Sequence, residues 1–178
     1  MSNTHTRVYY LAKYYTGDDA SYIYKKKIIF QKEIKLKEFN IKLLHGILPC
    51  NLNLFRWKIL ESDQCDICGL PQTIEHLLFT CVYVKPLWQK VEQIFNTRVK
   101  FDTILGIQKD FGQDFLITLL SFLIYKDWLI NSLENKCRSG SLFEYSKQEL
   151  RLRIKIYNLC TEISSTDLGS VDIFHDAL

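Results

Sequence analysis

The stretch from Gln64 to Trp88 reads Q-C-D-I-C-G-L-P-Q-T-I-E-H-L-L-F-T-C-V-Y-V-K-P-L-W. Its spacing, C-x2-C-x7-H-x4-C, is formed by Cys65, Cys68, His76 and Cys81. Two cysteines separated by two residues can hold one metal ion from a tight turn. A histidine and a third cysteine complete a tetrahedral S3N set, which suits zinc. The spacing therefore predicts one structural zinc ion in a mainly α-helical domain organised around a Cys-Cys-His-Cys knuckle; the alternative is four ordinary core side chains.

The segment that carries His76 and Cys81 is predicted to be helical, but a regular α-helix would not direct both side chains to one metal ion. Thr73 is a good helix N-cap, and Glu75 lies in the first turn, where negative charge is favoured. Positions five apart on an α-helix lie roughly 140° apart around its axis. His76 and Cys81 would then point in different directions. We therefore expect the helix that begins after Thr73 to end or unwind at Cys81.

The same stretch resembles the C-terminal zinc-binding region of reverse transcriptases from LINE-type (non-LTR) retrotransposons. The resemblance rests on the spaced cysteines and histidine, followed by the P-L-W sequence that ends at Trp88. Upstream, Phe39 to Ile59 is similar to the lead-in helix and turn of that family. Downstream, Ile104–Ile107 and Phe122–Trp128 are also similar, so that the likeness extends over about Tyr22 to Ile156.

This resemblance implies an accessory module without catalytic activity of its own. Its expected partners are RNA or an RNA–DNA hybrid and the polymerase domain of a reverse transcriptase, which would lie N-terminal to this chain. The sequence contains no Gly-rich phosphate loop, H-E-x-x-H helix or Ser-His-Asp set, and a closed S3N site leaves no position for a reactive water. We therefore expect no small-molecule substrate. The alternative function is a zinc-stabilised helical protein-interaction domain with no affinity for nucleic acid.

Positive charge is concentrated upstream of the cysteines. Between Tyr24 and Gly46 there are seven lysines and only two glutamates, within a predicted helix over about Lys25 to Gly46. Such a cluster favours sequence-independent contact with phosphates, although a solvated helix face has the same composition. The residues predicted to contact nucleic acid are Lys25, Lys26, Lys27, Lys32, Lys35, Lys42, Arg56 and Lys58.

Composition and the remaining cysteines limit the other possibilities. The chain has 178 residues, 47% of them apolar, and a net charge of only +3, which suits one folded domain. Cys50, Cys137 and Cys160 are expected to be free thiols, with Cys50 the one plausible substitute ligand. No apolar signal segment begins the sequence, so we expect an intracellular protein, in the cytoplasm or nucleus. The apolar run Phe115 to Tyr125 is too short to span a bilayer, and we expect no membrane partner.

The predicted organisation has five parts. They are a flexible lead (1–21), a basic helical segment (22–64), the zinc knuckle and following helix (65–96), C-terminal helices (97–163) and an acidic tail (164–178). Four further helices are predicted: a short one capped by Asn51 or Asn53 and reaching Leu60, then Val84–Phe95, Asp114–Asn135 and Leu142–Ile163. Gly46 is predicted to cap the basic helix, and Trp88 to be a core anchor against the knuckle.

Overall fold

A computed structural model describes residues 22, 23, 27, 33–106, 111–133, 142–159, 173 and 176. The helices are α1 (Ile34–Leu44), α2 (Asn51–Arg56), a π-helical turn (His76–Thr80), α3 (Lys85–Phe95), α4 (Phe101–Leu105), α5 (Phe111–Leu133) and α6 (Leu142–Leu159). Within these described ranges, the one β feature is an isolated antiparallel bridge between Gln64 and Pro71. The predicted mainly helical class is therefore confirmed. The predicted lead (1–21) lies outside the described residues, as does the tail (164–178) apart from 173 and 176.

Helix α1 is the described part of the predicted basic helix. It buries Leu36, Phe39 and Leu43 at helical spacing. The helix ends in a Schellman arrangement: Gly46 N–H donates to the Leu43 carbonyl, and Ile47 N–H donates to the Lys42 carbonyl. Gly46 has φ +69°, which a glycine adopts without strain, so its predicted role as the helix cap is confirmed.

Helix α2 differs from its prediction at both ends. Cys50, with an extended backbone, occupies the N-cap, and the helix ends at Arg56 instead of reaching Leu60. The predicted asparagine caps are wrong because the Asn51 and Asn53 side chains bind backbone groups outside the helix. Beyond the helix, Lys58 adopts a left-handed conformation (φ 59°) that reverses the chain.

The three longer predicted helices after the knuckle are present. Helix α3 begins after Val84 with Pro86 in its first turn, and Asn96 in the left-handed region ends it. Helix α5 begins three residues before the predicted Asp114 and ends two before Asn135, and α6 begins at Leu142 as predicted.

Helix α5 is the centre of the hydrophobic core. All ten side chains from Leu116 to Tyr125 are buried, and the helix contacts α1, α4, α6 and the π-helical turn. The 18-residue window Phe115–Ser132, which extends beyond the apolar run Phe115 to Tyr125, is long and apolar enough to cross a membrane by length and composition alone. In the structure, 67% of this window is buried inside the protein, which agrees with the prediction of a buried helix.

Candidate metal centre

The structure brings together the three cysteines and the histidine of the C-x2-C-x7-H-x4-C motif. The ligand atoms of Cys65, Cys68, His76 and Cys81 all lie within 4.8 Å of one another. Three of the four side chains are buried, and Cys68 is half-buried. Residues 16 positions apart along the chain thus share one site that could hold a metal ion.

A tight turn presents the first pair of thiols. Cys65 N–H donates to the Leu70 carbonyl at 2.8 Å, and Gly69 N–H donates back to the Cys65 carbonyl at 2.8 Å. Gly69 has φ +69°, a conformation in which a side chain would be strained. The bridge between Gln64 and Pro71 closes the base of this turn. Glycine at this position therefore lets the chain reverse immediately after Cys68.

The second pair of ligands is aligned by a local change of helix type. Thr73 Oγ1 accepts the His76 N–H at 2.9 Å and caps the helix as predicted. The helix then widens, because Cys81 N–H donates to the His76 carbonyl, five residues earlier, at 2.9 Å. In this π-type turn, residues five apart lie on nearly the same side, as residues four apart do in an α-helix. Cys81 itself has an extended backbone (ψ 138°), so the predicted end of the helix at this residue is confirmed.

The spacing of the four ligand atoms can be compared with a tetrahedral centre. With metal–sulfur bonds of about 2.3 Å, two sulfurs of a tetrahedron lie about 3.8 Å apart. Cys65 Sγ and Cys81 Sγ are 3.8 Å apart. Cys68 Sγ and His76 Nε2 are 3.2 Å apart, slightly inside the roughly 3.5 Å that the same geometry gives for sulfur and nitrogen. The four residues therefore fit a small tetrahedral ion, and Nε2 is the histidine atom that faces it.

The surroundings shift the pKa values of the two buried thiols in opposite directions. Burial raises the pKa of Cys65, but hydrogen bonds from the backbone N–H groups of Ile67 and Cys68 outweigh it, and the net shift is downward. For Cys81, burial and the neighbouring Cys65 raise the pKa to about 12. Burial lowers the pKa of His76, which favours the neutral ring that binds metals. A second thiolate in this space is repelled by the first, and a bound dication removes that repulsion.

Buried amide side chains, which sequence reasoning missed as part of the site, attach the knuckle to α2. The Asn51 side chain donates to the Gln64 carbonyl, next to Cys65. Gln72 Oε1 accepts the Asn51 N–H at 3.1 Å, and the Gln72 carbonyl accepts the Leu52 N–H at 3.2 Å. The Asn51 and Gln72 side chains each bind one backbone group, and neither belongs to a repeating pattern of buried positions. The sequence therefore carries no periodic signal for them.

Two further side-chain contacts join the elements around the knuckle. Trp88 Nε1 donates to the Leu78 carbonyl at 2.8 Å within the π-helical turn, and the indole is buried, as expected for a core anchor. Asn53 Nδ2 donates to the Gly46 and Leu48 carbonyls at 3.0 and 2.9 Å. Helices α1, α2 and α3 are therefore all tied, directly or through one residue, to the metal-binding segment.

The predicted nucleic-acid-binding residues divide into three groups. Lys35, Lys42, Arg56 and Lys58 are exposed, and among the described residues they form no ion pair. Lys25, Lys26 and Lys32 lie outside the described residues. Lys27 is 3% exposed, and its Nζ donates to the Ile104 carbonyl and to Thr118 Oγ1, both at 2.8 Å. The prediction of a phosphate contact is therefore wrong for Lys27, because its charged end is directed into the core.

The remaining thiols stand apart from the candidate metal centre. Cys50 is buried at the start of α2 and is not among the four clustered ligands, and burial raises its pKa. The structure therefore gives no support to Cys50 as a substitute ligand. Cys137 and Cys160 lie outside the described residues.

Comparison with known proteins supports the same region of the chain. Residues 7–88 match the family described as zinc-binding in reverse transcriptase. The resemblance to a zinc-binding region of reverse transcriptases is thereby confirmed for residues 7–88, which contain all four clustered ligands and end at Trp88. The LINE-type (non-LTR) retrotransposon context stays a prediction. The likeness suggested downstream, at Ile104–Ile107 and Phe122–Trp128, lies beyond the matched residues and stays a prediction. No curated protein and no solved structure matches the chain.

Proposed function

We propose that this chain is a structural zinc module of a retrotransposon reverse transcriptase, and that it binds RNA or an RNA–DNA hybrid beside the polymerase domain. The observation that supports zinc is the closed S3N cluster within a segment that matches a family of zinc-binding regions. Three sulfurs and one nitrogen at tetrahedral spacing suit Zn²⁺ better than harder ions, which prefer oxygen ligands. One ion per chain would join the turn at Cys65 to the π-helical turn.

The proposed contribution of the protein is to hold a cationic surface in a fixed position. Lys42 is in the last turn of α1, and Arg56 ends α2. The Asn53 side chain connects these two helices through the Gly46 and Leu48 carbonyls. Because these exposed cations have no carboxylate partner among the described residues, their charge is available to phosphates. The cysteine ligands require reduced thiols, which fits a protein working in the cytoplasm or nucleus.

Salt-dependent binding tests the proposal. We expect the purified zinc-loaded chain to bind single-stranded RNA with an affinity that falls steeply as salt rises. Each lost phosphate contact should reduce the slope of log K against log salt by roughly 0.7. Replacing Lys42, Arg56 and Lys58 by glutamine should therefore flatten the slope by about two units. Undetectable RNA binding at moderate salt would favour the protein-interaction alternative.

Lys27 supplies a matched control. Lys27→Gln also removes one positive charge, but from a buried side chain that binds Ile104 and Thr118. We expect it to lower the free energy of unfolding by about 1–3 kcal/mol while leaving the salt slope unchanged. A slope that flattens equally for Lys27→Gln and Lys42→Gln would indicate a general effect of net charge and would contradict contact by a defined surface.

A further inference from the structure

Exposed apolar side chains are concentrated in one short part of the described chain. Among the residues that the structure describes, thirteen large hydrophobic side chains are exposed, and six of them lie between residues 55 and 70, around the turn that carries Cys65. They are Phe55, Trp57, Ile59, Leu60, Ile67 and Leu70. Exposed apolar groups scattered singly need no explanation, but a concentration of this kind marks a contact surface.

The N-terminal end of this group has a distinctive order. Residues 55–58 read Phe-Arg-Trp-Lys, in which two aromatic residues alternate with two cations. Phe55 and Trp57 are each 46% exposed, and neither forms a ring contact or side-chain hydrogen bond with any described residue. Arg56 and Lys58 are exposed and form no ion pair in the same part of the chain. Four consecutive residues therefore place exposed aromatic rings and cations without an ion pair within one short segment.

Backbone geometry keeps this segment in place. Trp57 N–H donates to the Asn53 carbonyl at 2.9 Å, and Lys58 N–H donates to the Phe55 carbonyl at 2.9 Å. The left-handed backbone of Lys58 (φ 59°) then turns the chain, and Ile59 N–H returns to the Leu54 carbonyl. A positive φ at a lysine is strained. The backbone hydrogen bonds to Asn53, Leu54 and Phe55 hold the turn in this conformation against the end of α2. The first residues of α2 are in turn bound to the knuckle through Asn51 and Gln72.

We propose that Phe55 to Lys58 form a platform on which unpaired bases of a single-stranded nucleic acid stack, while Arg56 and Lys58 contact the adjoining phosphates. This inference rests on the proposed function and assigns it to a defined surface. Aromatic rings interleaved with cations are how proteins bind single strands without reading their sequence, because every base has a π-face. The platform is the part of the exposed apolar group where positive charge and aromatic rings coincide.

Charge also indicates the side on which the strand lies. The groove next to the knuckle is lined by Ile59 and Leu60 together with Glu61 and Asp66. These carboxylates repel phosphate, so the strand passes over the α2 side of the turn and not through the groove. The Asn53 bond to the Gly46 carbonyl also brings the end of α1, where Lys42 is exposed, next to α2.

Tryptophan fluorescence provides a direct measurement. Of the three tryptophans, Trp57 is 46% exposed, whereas Trp88 and Trp128 are 3% and 2% exposed. Adding a 20-nucleotide oligouridine to the zinc-loaded chain is therefore expected to quench the solvent-exposed part of the emission. Trp57→Leu should abolish this quenching, and both Trp57→Leu and Phe55→Leu should weaken binding by about five- to 100-fold. Trp57→Phe, which keeps a π-face, should restore most of the affinity.

The salt slope and an abasic oligomer separate stacking from charge. Trp57→Leu removes no cation, so its salt slope should equal that of the wild type, whereas Arg56→Gln with Lys58→Gln should flatten the slope by about 1.4. Wild-type protein should bind an abasic 20-mer, which keeps the phosphates but lacks bases, more weakly than Trp57→Leu binds oligouridine, because the abasic strand also loses stacking on Phe55. An RNA duplex should also bind more weakly, because its bases are not free to stack.

The outcomes distinguish this inference from the function on which it rests. Salt-dependent RNA binding that Trp57→Leu and Phe55→Leu leave unchanged would overturn the platform while the proposed function stands. No RNA binding by the wild type would overturn both. Self-association of the wild type in sedimentation, lost in Trp57→Leu, with unchanged RNA affinity, would assign the surface to a second copy of the chain and would also overturn the platform.

Discussion

The metal-binding segment and helix α5 are both buried, but different interactions hold them in place. Between Cys65 and Cys81 the chain consists of a tight turn and a short π-helical turn. Hydrogen bonds donated by Asn51 to Gln64 and Gln72, and by Trp88 to Leu78, position this segment. In α5, ten consecutive side chains are buried against four neighbouring elements. The metal-binding segment depends on a few hydrogen bonds and a metal ion, whereas α5 depends on the burial of apolar surface. Loss of one contact should therefore have different consequences in the two regions.

Removal of the metal should have the largest effect and should be confined at first to the knuckle. Structural zinc contributes about 10–16 kcal/mol of apparent binding free energy in zinc-finger peptides. We expect one zinc ion per wild-type chain by elemental analysis and none after Cys65→Ser with Cys68→Ser. Hydrogen exchange should accelerate first in residues 65–81 on chelation, before the amides of Leu116–Tyr125.

Cys50→Ser is the control for this experiment, because Cys50 is a buried thiol outside the cluster. It should retain one ion per chain. Equal metal content in the double cysteine variant and the wild type would contradict the assignment of the ligands.

A cavity in α5 should test the opposite region. Leu123 is fully buried, and Leu123→Ala should lower the free energy of unfolding by about 2–5 kcal/mol through lost apolar contacts and a residual cavity. Denaturant titration gives the change, and the zinc content should stay at one per chain. Leu152→Ala, the same substitution at an exposed site in α6, should change the free energy by less than about 0.5 kcal/mol. Similar losses for both variants would show that α5 is not the centre of the core.

Truncation of a buried amide side chain should test the hydrogen bonds of the knuckle independently of the metal ion and of the hydrophobic core. Gln72→Ala removes the acceptor of the Asn51 N–H and leaves that group without its side-chain partner, at a cost of about 1–3 kcal/mol. We also expect zinc to dissociate faster into a chromogenic chelator, because the knuckle loses one of its hydrogen bonds to α2. Gln93→Ala, at an exposed position of α3, should alter neither quantity measurably. An unchanged zinc off-rate in Gln72→Ala would show that the hydrogen bond between Gln72 and Asn51 does not hold the metal site in place.

The smallest of these effects is expected at the helix cap. Thr73→Ala removes the oxygen that accepts the His76 N–H and should cost about 0.5–2 kcal/mol. Thr73→Ser keeps that oxygen and should restore the free energy of unfolding to near the wild-type value. If Thr73→Ser is as unstable as Thr73→Ala, then the methyl group, and not the cap, stabilises this turn.

Local chemistry explains why much of the knuckle and several helices could be predicted. The spacing of Cys65, Cys68, His76 and Cys81 identified the cluster, and the five-residue gap predicted that the helix would end at Cys81. Gly46 and Thr73 marked helix ends because capping depends on neighbouring residues alone. The long apolar run of α5 predicted a buried helix, since few other environments accept such a segment.

Only the tertiary structure decided which polar side chains face inward. Lys27 lies in the same run of lysines as Lys25 and Lys26, yet it bonds with Ile104 and Thr118, 77 and 91 residues away. Asn51 was expected to cap a helix but instead binds Gln64 across the fold. The orientation of each of these side chains depends on a partner distant in sequence. Composition gives the charge of a segment but not the direction in which its side chains point. The sequence by itself indicated the metal-binding cluster and the longer helices, and long-range packing determined which cations and aromatic rings remain at the surface.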